Sequence, residues 1–158
     1  MSETEVAPTT EESPADVDFI RRHLRYGWWS LCVFASIGFV LETLHGLKLG
    51  FYLDADQETR RLMWTLSHAH GTLLSLVHIA LAFTMSKLPD WPNKSRSGAS
   101  ACLIAGSILL PGGFFLGGTF TYDGDPGVSI FVVPIGAALA IVSVARTAMA
   151  VGRYYRSE

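Results

Sequence analysis

Two cysteines in 158 residues, Cys32 and Cys102, both inside apolar stretches, leave no disulfide framework and no cysteine metal motif. They read as small apolar residues in helix interfaces. Charge is scarce too: Asp, Glu, Lys and Arg make up 16% of the chain, and they gather in four places, the N-terminal segment, Lys48 to Arg61, Lys87 to Arg96 and the C-terminal end. The patterns Gly-x-x-x-x-Gly-Lys, Gly-x-Ser-x-Gly and His-Glu-x-x-His are absent, which removes the phosphate-cradling, serine-hydrolase and zinc-protease signatures. The one basic run, Arg21-Arg22-His23-Leu24-Arg25, abuts an apolar segment. It therefore reads as an orientation signal and headgroup contact, with His23 interfacial, and nucleic acid is not a partner.

Hydrophobic residues are abundant, at 49%. Between the charged clusters lie four apolar stretches, Gly27 to Leu49, Met63 to Met85, Gly98 to Thr119 and Val128 to Ala150. Each is close to the roughly 20 residues a helix needs to cross about 30 Å of hydrocarbon. A soluble chain of this size could not shield four such helices from water. Trp28, Trp29, Phe51, Tyr52, Trp64, Tyr122, Tyr154 and Tyr155 fall at the edges, where an aromatic belt is expected. The fold class expected is an all-α membrane protein, an up-down-up-down bundle of four transmembrane helices.

Orientation follows from the basic residues. Arg21, Arg22, Arg25, Lys87, Lys94, Arg96, Arg146, Arg153 and Arg156 lie on one side, and Lys48, Arg60 and Arg61 on the other. This bias puts both termini in the cytoplasm and the protein in the cell inner membrane. Residues 1–18 carry Glu3, Glu5, Glu11, Glu12, Asp16 and Asp18 without Lys or Arg, so residues 1–20 are expected to be a disordered acidic tail before a membrane domain over 21–156. No basic start or apolar run precedes residue 27, so the first span is expected to stay in the mature protein.

The connections are short or rich in turn formers. Lys87 to Ser97 holds Pro89, Asp90, Pro92 and Asn93, and Tyr122-Asp-Gly-Asp-Pro-Gly127 is a tight loop. In Asp54-Ala55-Asp56-Gln57-Glu58 a calcium loop lacks its bend glycine and its twelfth-position glutamate. Asp54 is expected to cap a helix, with Gln57 completing a capping box, and that helix should run inward for about 30 residues. In the third span, Pro111 should kink the helix, and Gly112, Gly113, Gly117 and Gly118 offer a surface for close helix packing or room for a flat cofactor.

Ionisable groups at membrane depth are costly and mark functional sites. Glu42 is the only acid within the spans, and Glu42 and His45, three apart, share a helix face. His68 and His70 lie on the next span, and counting residues from the span ends sets all four in the outer third of the bilayer. Two positions apart on a helix means about 200° of rotation, so only one of His68 and His70 can face the first span. His78 stands alone in the inner half and reads as a satisfied core histidine, bonded to a hydroxyl or carbonyl of a neighbouring span.

Three chemistries fit this cluster. Glu42 and the imidazoles can form a helix-locking or proton-relaying hydrogen-bond network, with no cofactor. His45 with His68 or His70 can hold a haem b between facing helices. Glu42, His45, His68 and His70 can hold a single transition metal. The His68-Ala69-His70-Gly71 stretch resembles the histidine pairs of large haem-binding membrane oxidases; the likeness covers three residues and implies haem, without assigning a family. The expected roles are thus a redox accessory protein or a structural or transport module. The expected partners are the lipid bilayer and a second copy or a larger membrane complex.

Overall fold

The computed structural model describes residues 14–53 and 55–156. The helices are α1 (Pro14–Gly46), α2 (Gly50–Leu53), α3 (Glu58–Lys87), α4 (Asn93–Thr119) and α5 (Val133–Tyr154), with 3-10 turns at Ala55–Gln57 and Val128–Val132. Four helical segments are long and apolar enough to cross a membrane: Asp18–Gly46, Glu58–Lys87, Asn93–Thr119 and Val128–Tyr154. The chain is an all-α, multi-pass membrane protein of up-down-up-down design.

Neighbours in sequence are neighbours in space. α1 packs on α3, α3 on α4 and α4 on α5, while α1 and α5 do not meet among the described residues. The bundle is therefore opened into a row. Its middle helices bury much more of themselves than α1 and α5 do. The outward faces carry Trp29, Phe39 and Val40 on α1 and Ile135, Ile141 and Val144 on α5, all exposed and suited to lipid. The core runs from Leu74, Leu81 and Met85 of α3 to Leu103 and Leu110 of α4 and Ala140 of α5.

Small residues set the helix separations. A Cβ on Gly136 would lie 2.5 Å from Leu110 N, and one on Gly106 would lie 2.9 Å from the Ala140 nitrogen, so α4 and α5 touch backbone to backbone. Of the third-span residues expected to pack, Pro111 is buried and its carbonyl accepts from the Ser67 hydroxyl at 2.8 Å. Gly113 lies against Val132 and Val133, Gly117 against the loop before α5, and Gly118 against Met63 and Trp64. The space once open to a flat cofactor is thus filled by the chain's own α3 and α5 approach. Gly112 departs from the expectation, since a Cβ there would meet nothing within 4 Å.

Several boundaries differ from the sequence reading. α1 begins at Pro14, so residues 14–20, expected in the tail, are helical, and Phe19 and Ile20 pack against the core. The other end stops at Gly46, and Lys48 adopts a positive φ of 53° in the turn that follows. Asp54 and residues 1–13 lie outside the described residues. Gln57 closes the 3-10 turn that leads into α3, and its amide donates to Asp56 at 3.0 Å. The tight loop is a two-residue turn, with Asp123 and Gly124 at positive φ between the paired Tyr122 and Asp125.

The aromatic belt is also thinner than expected. Tyr52 is 4% exposed and stacks on Trp64, which stacks on Phe115, so these residues lock α2, α3 and α4 together. Arg96 is buried and caps the Leu88 and Pro89 carbonyls, while Arg61 caps Leu53. These charges hold turns as well as setting topology.

Gly136→Val should force α4 and α5 apart and lower unfolding free energy by about 1–3 kcal/mol. Gly112→Ala should stay within about 0.5 kcal/mol of the parent. Denaturation in detergent micelles followed by circular dichroism checks both.

Candidate functional site

The most enclosed polar groups are not the ones the sequence singled out. His23 of α1 and His78 of α3 are both fully buried, with Nδ1 atoms 2.6 Å apart and rings stacked at 4.9 Å. His23 Nε2 lies 2.8 Å from the Ser100 hydroxyl, and His78 Nε2 lies 3.0 Å from that of Ser107, both on α4. The Ser107 hydroxyl is 3.1 Å from the Tyr26 hydroxyl, and the Tyr26 ring lies 4.4 Å from that of His78. Three helices thus meet in one hydrogen-bonded cluster near the basic end.

The proton count in this cluster is constrained. Only one of two facing Nδ1 atoms can carry the hydrogen between them. If His23 donates, His78 keeps its hydrogen on Nε2 and gives it to Ser107, which donates onward to Tyr26, while Ser100 donates to His23. If His78 donates, every bond reverses. Both polarities satisfy all four ring nitrogens, so the chain from Ser100 to Tyr26 can invert without moving a heavy atom.

His78 matches the expectation of a core histidine bonded to a neighbouring span. His23 does not, because it is buried and not interfacial. The physical reason is rotation: Arg21, Arg22 and Arg25 are exposed, while His23 shares an inward stripe with Phe19, Tyr26, Gly27 and Ser30. That spacing was present in the sequence, but the surrounding arginines obscured it.

At the opposite end, a groove of about 440 Å³ between α1 and α3 is lined by Glu42, His45, Tyr52, Thr65, His68 and Thr72. His68 turns toward α1, its Nδ1 2.7 Å from the Phe34 carbonyl. A carbonyl can only accept, so neutral His68 carries hydrogen on Nδ1 and keeps Nε2 as an acceptor. A Cβ on Gly38 would collide with the His68 ring, so the imidazole lies directly on the α1 backbone. His70 faces the other way, its Nδ1 2.8 Å from the Leu66 carbonyl and its ring 5.2 Å from Phe114 of α4.

The helix register separates the outer residues in depth. Ser30 is hydrogen-bonded to Ser75, Phe34 packs on Gly71 and Gly38 on His68. Counting outward at about 1.5 Å per residue puts Glu42 about 6 Å, and His45 about 10 Å, beyond the level of His68. Glu42 and His45 are exposed. The equal depth expected from span counting fails because α1 sits about two turns further outward, away from the basic end, relative to α3 than its apolar run suggests.

The metal set Glu42, His45, His68 and His70 does not assemble, for no three His, Cys, Asp or Glu side chains among the described residues group as ligands. His70 points to α4, and His45 lies too far out. A haem between His45 and His68 meets a steric bar, since His68 is pressed on Gly38 of the helix that bears His45.

His23→Ala would leave the Ser100 hydroxyl and His78 Nδ1 buried without partners, so unfolding free energy should fall by about 1–3 kcal/mol. His23→Leu with His78→Leu should cost less than the two single changes summed, which a double-mutant cycle in detergent reads. Nitrogen-15 spectra of imidazole-labelled protein should show His68 and His70 as Nδ1–H tautomers. No family model, curated protein or solved structure matches the chain.

Proposed function

We propose that the protein is a proton-relay module of the cell inner membrane, its termini cytoplasmic, in which imidazoles and hydroxyls pass a proton along the α1–α3 interface. One observation carries this reading: proton-exchanging side chains succeed one another along that interface from the basic end to the opposite groove. His23, Tyr26 and His78 come first, then Ser30 bonded to Ser75 at 2.8 Å, then Thr72, and finally His68, Glu42 and His45. On α3 the members are spaced at three or four residues, His78, Ser75, Thr72, His68 and Thr65, so one face supplies them all.

The steps along α3 are about 4.5–6 Å of helix rise. Water is needed between Ser75 and His68, and the Thr72 hydroxyl, buried with no hydrogen-bond partner among the described residues, supplies a place to hold it. Each imidazole takes a proton at one ring nitrogen and releases one from the other, and the inverted bond polarity is restored by the next transfer or a ring flip. Phe34, seated on Gly71 between Ser75 and His68, is the apolar plug that limits the flow.

In liposomes holding the purified chain and a trapped pH dye, an imposed membrane potential should drive proton entry above the protein-free rate. Glu42→Gln and Ser75→Ala should lower it several-fold, and Phe34→Ala should raise it. A wild-type rate equal to that of empty liposomes overturns the relay and leaves the histidine cluster a helix lock.

A further inference from the structure

A second groove opens at the basic end, away from the groove between α1 and α3. It has a volume of about 400 Å³ and lies between the α3–α4 turn and the end of α5, lined by Trp91, Ser95, Asp90, Arg146, Arg153 and Tyr154 among others. Arg146 and Arg153 are seven residues apart on α5, hence on one face and about 10 Å apart along the axis. Among the described residues neither guanidinium has a carboxylate or carbonyl partner. This contrasts with Arg60, Arg61 and Arg96, which are engaged by backbone carbonyls.

The groove is built to hold these charges. Gly98 of α4 has no side chain where the Arg146 guanidinium rests, and a Cβ there would collide with it. Arg146 is thereby held half-buried beside the first turns of α4, whose N-terminal dipole end adds positive potential. Trp91, 5% exposed, also lines the groove, and its indole N–H has no hydrogen-bond partner among the described residues. Donors therefore outnumber acceptors, and Asp90 is the single acid in the lining. Met149 and Ala150 make the apolar wall between the two arginines, and the exposed apolar face of α5 continues away from it.

We infer that this groove binds a phosphate group presented by an anionic phospholipid, with Arg146 and Arg153 as the cationic clamp and α5 as the rest for the acyl chains. Two guanidiniums with forked donors suit phosphate oxygens better than point charges do. Position favours the lipid source: basic pockets between spanning helices at the positive end of a bundle lie at headgroup level. Asp90 can accept from a hydroxyl-bearing headgroup such as glycerol.

The test uses the full chain in nanodiscs of phosphatidylcholine doped with phosphatidylglycerol, counting protein-bound phosphatidylglycerol by native mass spectrometry. Wild type should retain it saturably, with affinity falling about five-fold for each arginine removed in R146Q and R153Q. R21Q/R22Q loses two charges at the same end outside the groove, twice the loss in either single variant, and should retain wild-type affinity. Exposed Arg153 can be replaced without disturbing packing, and R146K should restore part of the loss in R146Q. Equal losses in R21Q/R22Q would show diffuse attraction and overturn the site. Competition by millimolar inorganic phosphate would overturn the lipid as its source.

Discussion

The contact between His23 and His78 organises this molecule. Two imidazoles removed from water must find partners, and each finds one in the other and one in a serine of α4. Because these partners come from α1, α3 and α4, the cluster fixes three helices at once, in rotation and in axial position. Lipid offers little hydrophobic drive to hold helices together, so close packing and bonds of this kind decide the register. Ser30 on Ser75 and Phe34 on Gly71 continue the same register outward.

That register governs the opposite groove. With α1 displaced outward relative to α3, Glu42 and His45 stand at the outer edge and His68 alone lies deep, its ring against Gly38. The acid and imidazoles share a groove without forming a ligand set. The buried cluster at the other end has two equivalent hydrogen-bond polarities in one framework.

The row-like packing has its own consequences. α1 packs chiefly on α3 and α5 chiefly on α4, so both give most of their surface to lipid or to further protein. α5 is fused to α4 through Gly106 and Gly136, which leaves its end free to form the arginine-lined groove with the α3–α4 turn. The α1–α3 groove and the arginine-lined groove therefore share no lining residue and can be altered separately.

The sequence by itself determined the number of spanning helices, their alternation, the basic end, the Asp123–Gly124 turn and the opposite facings of His68 and His70. Each of these depends on local composition or on the 100° step of a helix, and both are written in consecutive residues. Only the tertiary structure decided that His23 is buried, that Glu42 and His45 lie outward of His68, and that Tyr52 is a core residue stacked on Trp64. The reason is that helical periodicity fixes which face a residue occupies but leaves free how far one helix slides along another. That sliding is set by contacts between distant residues, by Gly38 admitting the His68 ring and by His23 meeting His78, and no single segment of the chain contains both partners.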